Sequence, residues 1–137
     1  MITNETQVRV RYAETDRMGY AYYGHFAAYF EVARVEMLRN IGFTYKILED
    51  EGIILPVLEF TIKYFRPAYY DNLLTIRTTI NELPGMRIRF SYETFNEEQI
   101  LLNKAETTLV FVNKSTGKPI MPPDDLLTAM KAYFPKS

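Results

Sequence analysis

Asp16 stands in an aperiodic stretch, Ala13 to Tyr20, that carries Gly19 and runs directly into a long amphipathic segment. The residues opening that segment, Tyr22, Tyr23, Gly24 and His25, include none of the Ser, Thr, Asp or Asn side chains that cap a helix well. A helix beginning there leaves its first backbone N–H groups without a protein partner. Gly24 would let another molecule approach that backbone closely. Free N–H groups at the positive end of a helix dipole favour an oxygen that gains negative charge. A carboxylate a few residues away supplies a nucleophile or a general base. The plainer alternative gives Asp16 a turn role and leaves water on the amides. His25 is the only histidine; alone, it reads as a first-turn residue with its ring in solvent or on a backbone carbonyl.

Elements that could position these groups follow from periodicity. Val8, Val10 and Tyr12 alternate with Arg9 and Arg11, the pattern of a half-buried strand. Phe26, Tyr29, Phe30, Ala33, Met37 and Ile41 form one apolar stripe, which predicts a helix over about 23–41, roughly 28 Å long at ~1.5 Å per residue. Gly42 suits its C-terminal end. Glu31 and Arg34 lie off the stripe and read as a surface i,i+3 ion pair. Thr44 would cap a short second helix reaching Asp50. Four strand-like runs follow: Leu58 to Tyr64, Leu74 to Ile80, Ile88 to Tyr92 and Leu101 to Phe111. Leu109 to Val112 is apolar on both faces, so its outer side is expected to meet a partner. Asp124 or Asp125 begins a short last helix. Short links between the later strands imply an antiparallel sheet, and the long helix can bury its stripe across that sheet's concave face.

Composition narrows the chemistry. The chain has 137 residues, 47% hydrophobic and 24% charged, a single soluble domain over 1–137. With 16 basic and 17 acidic side chains it carries no broad basic field for nucleic acid. It has no cysteine, so thiol nucleophiles and disulfides are excluded. One histidine excludes a multi-histidine metal site within the chain, and no metal is expected. No apolar run approaches the ~20 residues that span a bilayer, and no leader is apparent, so a cytoplasmic location is expected. Eleven Tyr and nine Phe point to an interface or a ligand cleft, where rings can be apolar along the face and wet at the tip.

The block Arg11-Tyr-Ala-Glu-Thr-Asp16-Arg-Met-Gly19, followed by Tyr22-Tyr23-Gly24-His25-Phe26, Tyr29-Phe30-Glu31 and Ala33-Arg34, resembles the start of the hotdog-fold acyl-CoA thioesterases. The nearest groups are the 4-hydroxybenzoyl-CoA thioesterases and the bacterial thioesterases associated with the Tol–Pal system. Tyr64 to Asp71, Arg87 to Glu93 and Ala105 to Val112 extend the resemblance over nearly the whole chain.

The resemblance implies an α+β hotdog fold, with the long helix wrapped by a five-stranded antiparallel sheet. It also implies pairing of subunits into a homodimer or homotetramer. Its catalytic Asp falls on Asp16, and its carbonyl-polarising amide falls on Tyr23. Tol–Pal members often carry His where this chain has Tyr23, and Asn where it has His25. The implied reaction is hydrolysis of an acyl-CoA or acyl-ACP thioester, with no cofactor beyond the coenzyme A of the substrate. His25 would then orient water or meet the acyl head group. From the residues themselves, Arg87 and Arg89 on one strand face either suit coenzyme A phosphates or form a solvated face, with Lys63 and Arg66 as weaker candidates for the phosphates. A hydratase on the same scaffold and a catalytically silent acyl-thioester-binding protein are the rival readings.

Overall fold

Four of the alternating runs become strands of one five-stranded sheet; the fifth strand is Ile2–Arg9 rather than the expected run through Tyr12, because the chain turns at Tyr12–Glu14, where the Glu14 N–H donates to the Arg11 carbonyl. The computed structural model describes residues 1–134, so the last three positions of the expected 1–137 domain lie outside the described residues. In chain order the elements are β1 (Ile2–Arg9), a single 3-10 turn (Tyr12–Glu14), α1 (His25–Asn40), α2 (Tyr45–Asp50), β2 (Ile53–Ile54) and β3 (Val57–Tyr64). Then come β4 (Leu73–Ile80), β5 (Arg87–Phe95), β6 (Leu101–Val110), β7 (Val112–Asn113) and α3 (Asp124–Lys131). The sheet order is β1-β4-β5-β6-β3, every neighbouring pair antiparallel. The expected α+β arrangement, one long helix on a five-stranded antiparallel sheet, is what the chain adopts. A two-residue ribbon, β2 with β7, is too short to leave a periodic signal.

Helix α1 buries Phe26, Tyr29, Phe30, Ala33, Met37 and Leu38 against the sheet. Phe30 stacks on Tyr92 of β5 with ring centroids 4.4 Å apart, and meets Phe60 of β3 edge-on. Such ring pairs add about 0.5–1.5 kcal/mol beyond their buried area. Thr44 caps α2 as expected, its side chain accepting from the Ile47 N–H. Gly42 takes φ +96° at the end of α1, a left-handed conformation that glycine adopts without a Cβ penalty.

Three further expectations change. The helix starts at His25 rather than Tyr23, because Tyr22 to Gly24 form a turn in which the His25 and Phe26 N–H groups donate to Tyr22 and Tyr23 carbonyls. Arg34 is no surface residue and makes no ion pair with Glu31: it is 5% exposed and its Nη1 donates to the Tyr92 hydroxyl at 3.2 Å. The long arginine stem passes among the core rings to reach that hydroxyl, so a charged residue behaves as part of the packed face. Val110 and Val112 are covered by this chain itself, not by a partner. The Val110 N–H donates to Pro56, and Ile120 returns to the Phe111 carbonyl, folding both flanking loops over that strand end.

Candidate active site

The loop carrying Asp16 is built by short-range hydrogen bonds. Asp16 Oδ1 accepts from the Met18 N–H at 2.8 Å and the Tyr20 N–H at 3.2 Å. Gly19, at φ +79°, closes the turn by donating to the Asp16 carbonyl. Asp16 is therefore a turn residue, as its residue type favours. It also keeps chemical capacity, since among the described residues its Oδ2 makes no hydrogen bond. The loop is tied down at both sides: Tyr22 N–H donates to Glu14, and Ala21 N–H donates to Ala68.

Glu14 anchors this loop to the helix. Its carboxylate is buried, and accepts from the Arg11 N–H at 2.8 Å, the Arg11 guanidinium at 3.2 Å and the Tyr29 hydroxyl at 3.0 Å. Burial alone would raise its pKa. The bonds from Arg11 and Tyr29 outweigh that effect and hold the carboxyl below its ordinary value. Tyr29 is shifted upward, by burial first and then by the carboxylate it donates to. Nothing periodic marks Glu14 in the chain; only its i,i+3 spacing from Arg11 could have singled it out.

The start of α1 is uncapped by any side chain, as expected. Among the described residues, the Tyr23 and Gly24 N–H groups have no hydrogen-bond partner. The Tyr23 carbonyl, by contrast, accepts from the Phe26 N–H at 3.2 Å and from the Tyr64 hydroxyl at 3.1 Å. Tyr64 thus clamps the edge strand β3 to the helix start. Burial, and then the nearby Tyr23, push its ionisation to about 12, so the hydroxyl stays a donor at ordinary pH. The space beside Gly24 is not open to another molecule in the way expected. A Cβ there would lie 2.7 Å from Cε2 of Tyr22, so the ring of Tyr22 occupies that space.

Asp16 and Tyr23 line one cleft of about 300 Å³, walled by Met18, Phe26, Tyr64 and Phe65, with Arg66 at its margin. This size is within the range of small-molecule sites. His25 does not line it; its ring lies edge-on to Tyr22 with centroids 6.0 Å apart. Arg87 and Arg89 are exposed on β5, paired in register with Val110 and Thr108, on the sheet face away from α1. Neither lines the Asp16 cleft; Arg87 borders a separate groove of about 530 Å³ with Leu58, Met86 and Pro119. Of the weaker cationic candidates, Arg66 reaches the cleft, whereas Lys63 sits over the ring of Phe65. Among the described residues no group of three or more His, Cys, Asp or Glu side chains could hold a metal ion. No helix among them is long and apolar enough to cross a membrane.

A carboxylate and an unpartnered amide in the turn before α1, on residues that line one aromatic cleft, are parts able to attack a carbonyl and to hold the oxyanion that results. The model of the thioesterase-like superfamily matches residues 10–130. The chain belongs to the thioesterase-like superfamily. As a thioesterase-like chain it is 36% identical over 124 residues to the acyl-CoA thioester hydrolase YbgC of Escherichia coli, a match covering 90% of this chain and 92% of that one. The structure of a DHNA-CoA thioesterase from Staphylococcus aureus aligns with a TM-score of 0.93 at 34% identity, covering 97% of this thioesterase-like chain and 91% of the other. A 4-hydroxybenzoyl CoA thioesterase mutant in complex with 4-hydroxybenzoyl CoA aligns with a TM-score of 0.84 at 18% identity, covering 94% and 99%, a likeness of fold. The family and the hotdog architecture expected from the sequence are borne out, and the expected enzyme class, thioester hydrolase, agrees with these relatives.

Proposed function

We propose that this protein hydrolyses acyl-CoA thioesters in the cleft between the Asp16 loop and the start of α1. The observation that carries this reading is the shared lining: Asp16, with one carboxylate oxygen unbonded, and Tyr23, with an unpartnered amide, face one cavity. The thioester carbonyl oxygen takes the Tyr23 N–H. Asp16 then either attacks the carbonyl carbon or draws a proton from an attacking water. In the first route a C–O bond forms to Asp16 and the C–S bond breaks, releasing the coenzyme A thiolate; water then cleaves the mixed anhydride. In the second, water oxygen bonds the carbon and its proton passes to Asp16 and on to the leaving sulfur. Both routes place negative charge on the carbonyl oxygen, where one preorganised donor is typically worth about 10²–10³ in rate. No group beyond the coenzyme A of the substrate is required.

The aromatic walls of the cleft favour bulky or aromatic acyl groups. Arg87 and Arg89 serve coenzyme A phosphates from the outer sheet face, with Arg66 nearer the cleft. His25 stands beside the helix start, outside the cleft lining, where it orients water or meets the acyl head group.

The working unit is a homodimer or homotetramer. Strand β3 supports this, because it is a sheet edge that leaves Val57, Leu58, Phe60, Tyr64 and Phe65 substantially exposed, and edges of that kind pair unless protected.

The test is release of free thiol from short, medium, long and aromatic acyl-CoAs and from acyl-ACP, by the wild-type protein and by Asp16→Asn. Turnover of at least one acyl-CoA, with kcat reduced about 10²-fold or more in the variant at unchanged unfolding midpoint, is the expected result. Near-normal turnover in Asp16→Asn would remove Asp16 from the mechanism, and no thiol release from any ester would leave the silent acyl-binding reading.

A further inference from the structure

One row of charges crosses the whole sheet on the face away from α1. The register sets Glu5 opposite Arg77, Arg77 opposite Glu93, Glu93 opposite Lys104 and Lys104 opposite Lys63. Signs alternate over the first four strands, and Arg77 pairs with Glu5 at 3.3 Å and with Glu93 at 3.7 Å. The fifth strand breaks the alternation. Lys63 of β3 stands directly against Lys104, and like charges so placed destabilise a sheet. Among the described residues neither lysine forms an ion pair, and neither does Glu59, which lies on the same face of β3 opposite Thr108. Every residue of β3 except Ile62 is exposed. The sheet edge thus carries one cation and one anion, each without a counter-charge in its own chain.

We propose that β3 pairs with β3 of a second copy in one register, centred on Thr61, in which Lys63 of each copy meets the partner's Glu59. This rests on β3 being the edge that pairs, and adds which residues meet and why. A sheet that continues with both long helices on one side needs a two-fold axis perpendicular to it. Opposed residues then share a face, and the axis passes through a residue that faces its own copy. An axis at Glu59 or at Lys63 sets like charges against each other. An axis at Phe60 or at Ile62 sets Lys63 against the partner's Val57 or the partner's Thr61, with no counter-charge. An axis at Thr61 alone forms two Lys63–Glu59 pairs, and it carries the alternating row outward from Lys63. It also sets Thr61 on the partner's Thr61 and Phe60 on the partner's Ile62, pairs of kinds that stabilise sheets. Past Lys63, Tyr64 falls beside the partner's Val57 and the partner's Leu58, where β3 is bulged. Tyr64 is 42% exposed and lines the Asp16 cleft, so the second copy adds an apolar wall to that cleft.

The chain has no cysteine, so single introduced cysteines report the register through disulfides, which need Cα atoms within about 7 Å. Thr61→Cys should cross-link to its own copy under mild oxidation, because opposed Cα atoms lie about 4.5–5.5 Å apart. Glu59→Cys and Lys63→Cys should each fail to cross-link alone, being about 13 Å from their own copies along the strands, and should cross-link to each other when co-expressed. Lys63→Glu and Glu59→Lys should each raise the dimer dissociation constant about tenfold or more in sedimentation equilibrium. The double exchange should return it close to the wild-type value. Self-cross-linking of Glu59→Cys, Phe60→Cys, Ile62→Cys or Lys63→Cys in place of Thr61→Cys overturns the register and leaves edge pairing. A double exchange no tighter than the single variants overturns the ion pairs, and a monomeric wild-type protein overturns edge pairing and register together. Thiol release is read separately: its absence in a wild-type dimer of this register overturns hydrolysis and leaves the register standing.

Discussion

Asp16 and Glu14 are two residues apart and play opposite parts. Asp16 spends one oxygen on its own turn and keeps the other for chemistry. Glu14 is fully engaged, holding the loop to α1 through Tyr29. Because the folded-state pKa of Glu14 is lowered, its contribution to stability is fully present above the ordinary glutamate value and is lost as pH falls through the folded value. Glu14→Gln should therefore destabilise the protein at neutral pH, by about 1–2 kcal/mol given that Arg11 is exposed. The gap between the two proteins should close on acidification below about pH 4, near the unperturbed value of glutamate. Thermal unfolding from pH 3 to 8 reads this; a gap that stays constant to the acid end would show that the hydrogen bonds to Glu14 do not depend on its charge. His25 lies outside the cleft, so His25→Gln should retain most turnover.

At the scale of elements, the helix start is set by what it touches. Strand β3 delivers Tyr64 to the Tyr23 carbonyl, fixing the peptide that follows the Tyr23 amide. Tyr64→Phe removes that bond without removing the ring, which packs on Phe26 at 5.7 Å. The expected result is about 1 kcal/mol of lost stability and a kcat several-fold lower, with KM little changed. A change confined to KM would mean that Tyr64 acts on binding instead. Strand β5 displays Arg87 and Arg89 to solvent. Replacing both with Gln should raise KM for acyl-CoA more at low than at high salt, because exposed charge is screened over about 10 Å at 0.1 M. Equal effects at both ionic strengths would remove phosphate binding from that face.

Considered whole, the chain ends its sheet with an apolar edge. Among the described residues β3 is flanked by β6 alone, leaving an outer edge that carries exposed Leu58 and Phe60. A second copy laid antiparallel along β3 would extend the sheet and cover the rim of the cavity that Val57 and Phe60 line. Leu58→Glu, an exposed position where a charge costs the monomer little, should shift the protein toward monomer in sedimentation velocity and lower thiol release with it. Wild-type protein sedimenting as a monomer at micromolar concentration, or an unshifted variant, would remove β3 as the interface.

Local patterning alone specified most of the architecture. The stripe from Phe26 to Met37, the alternation of the strands and the Thr44 cap each depend on residues within a few positions, so element type and order could be read directly. The Asp16 loop and the uncapped helix start were legible for the same reason, since a missing cap and a nearby carboxylate are local facts, whereas the choice of Tyr23 came from the family resemblance. Tertiary structure alone decided the fate of Arg34, because an i,i+3 spacing from Glu31 fits a surface pair as well as a helix whose charged side chain is drawn under the sheet. It also decided that Tyr64 would meet Tyr23, 41 positions away, that Tyr22 would fill the space beside Gly24, and that Val110 and Val112 would be covered by their own chain. Hydrophobic periodicity reports which face is buried; what lies against that face is set by the packing of segments distant in sequence.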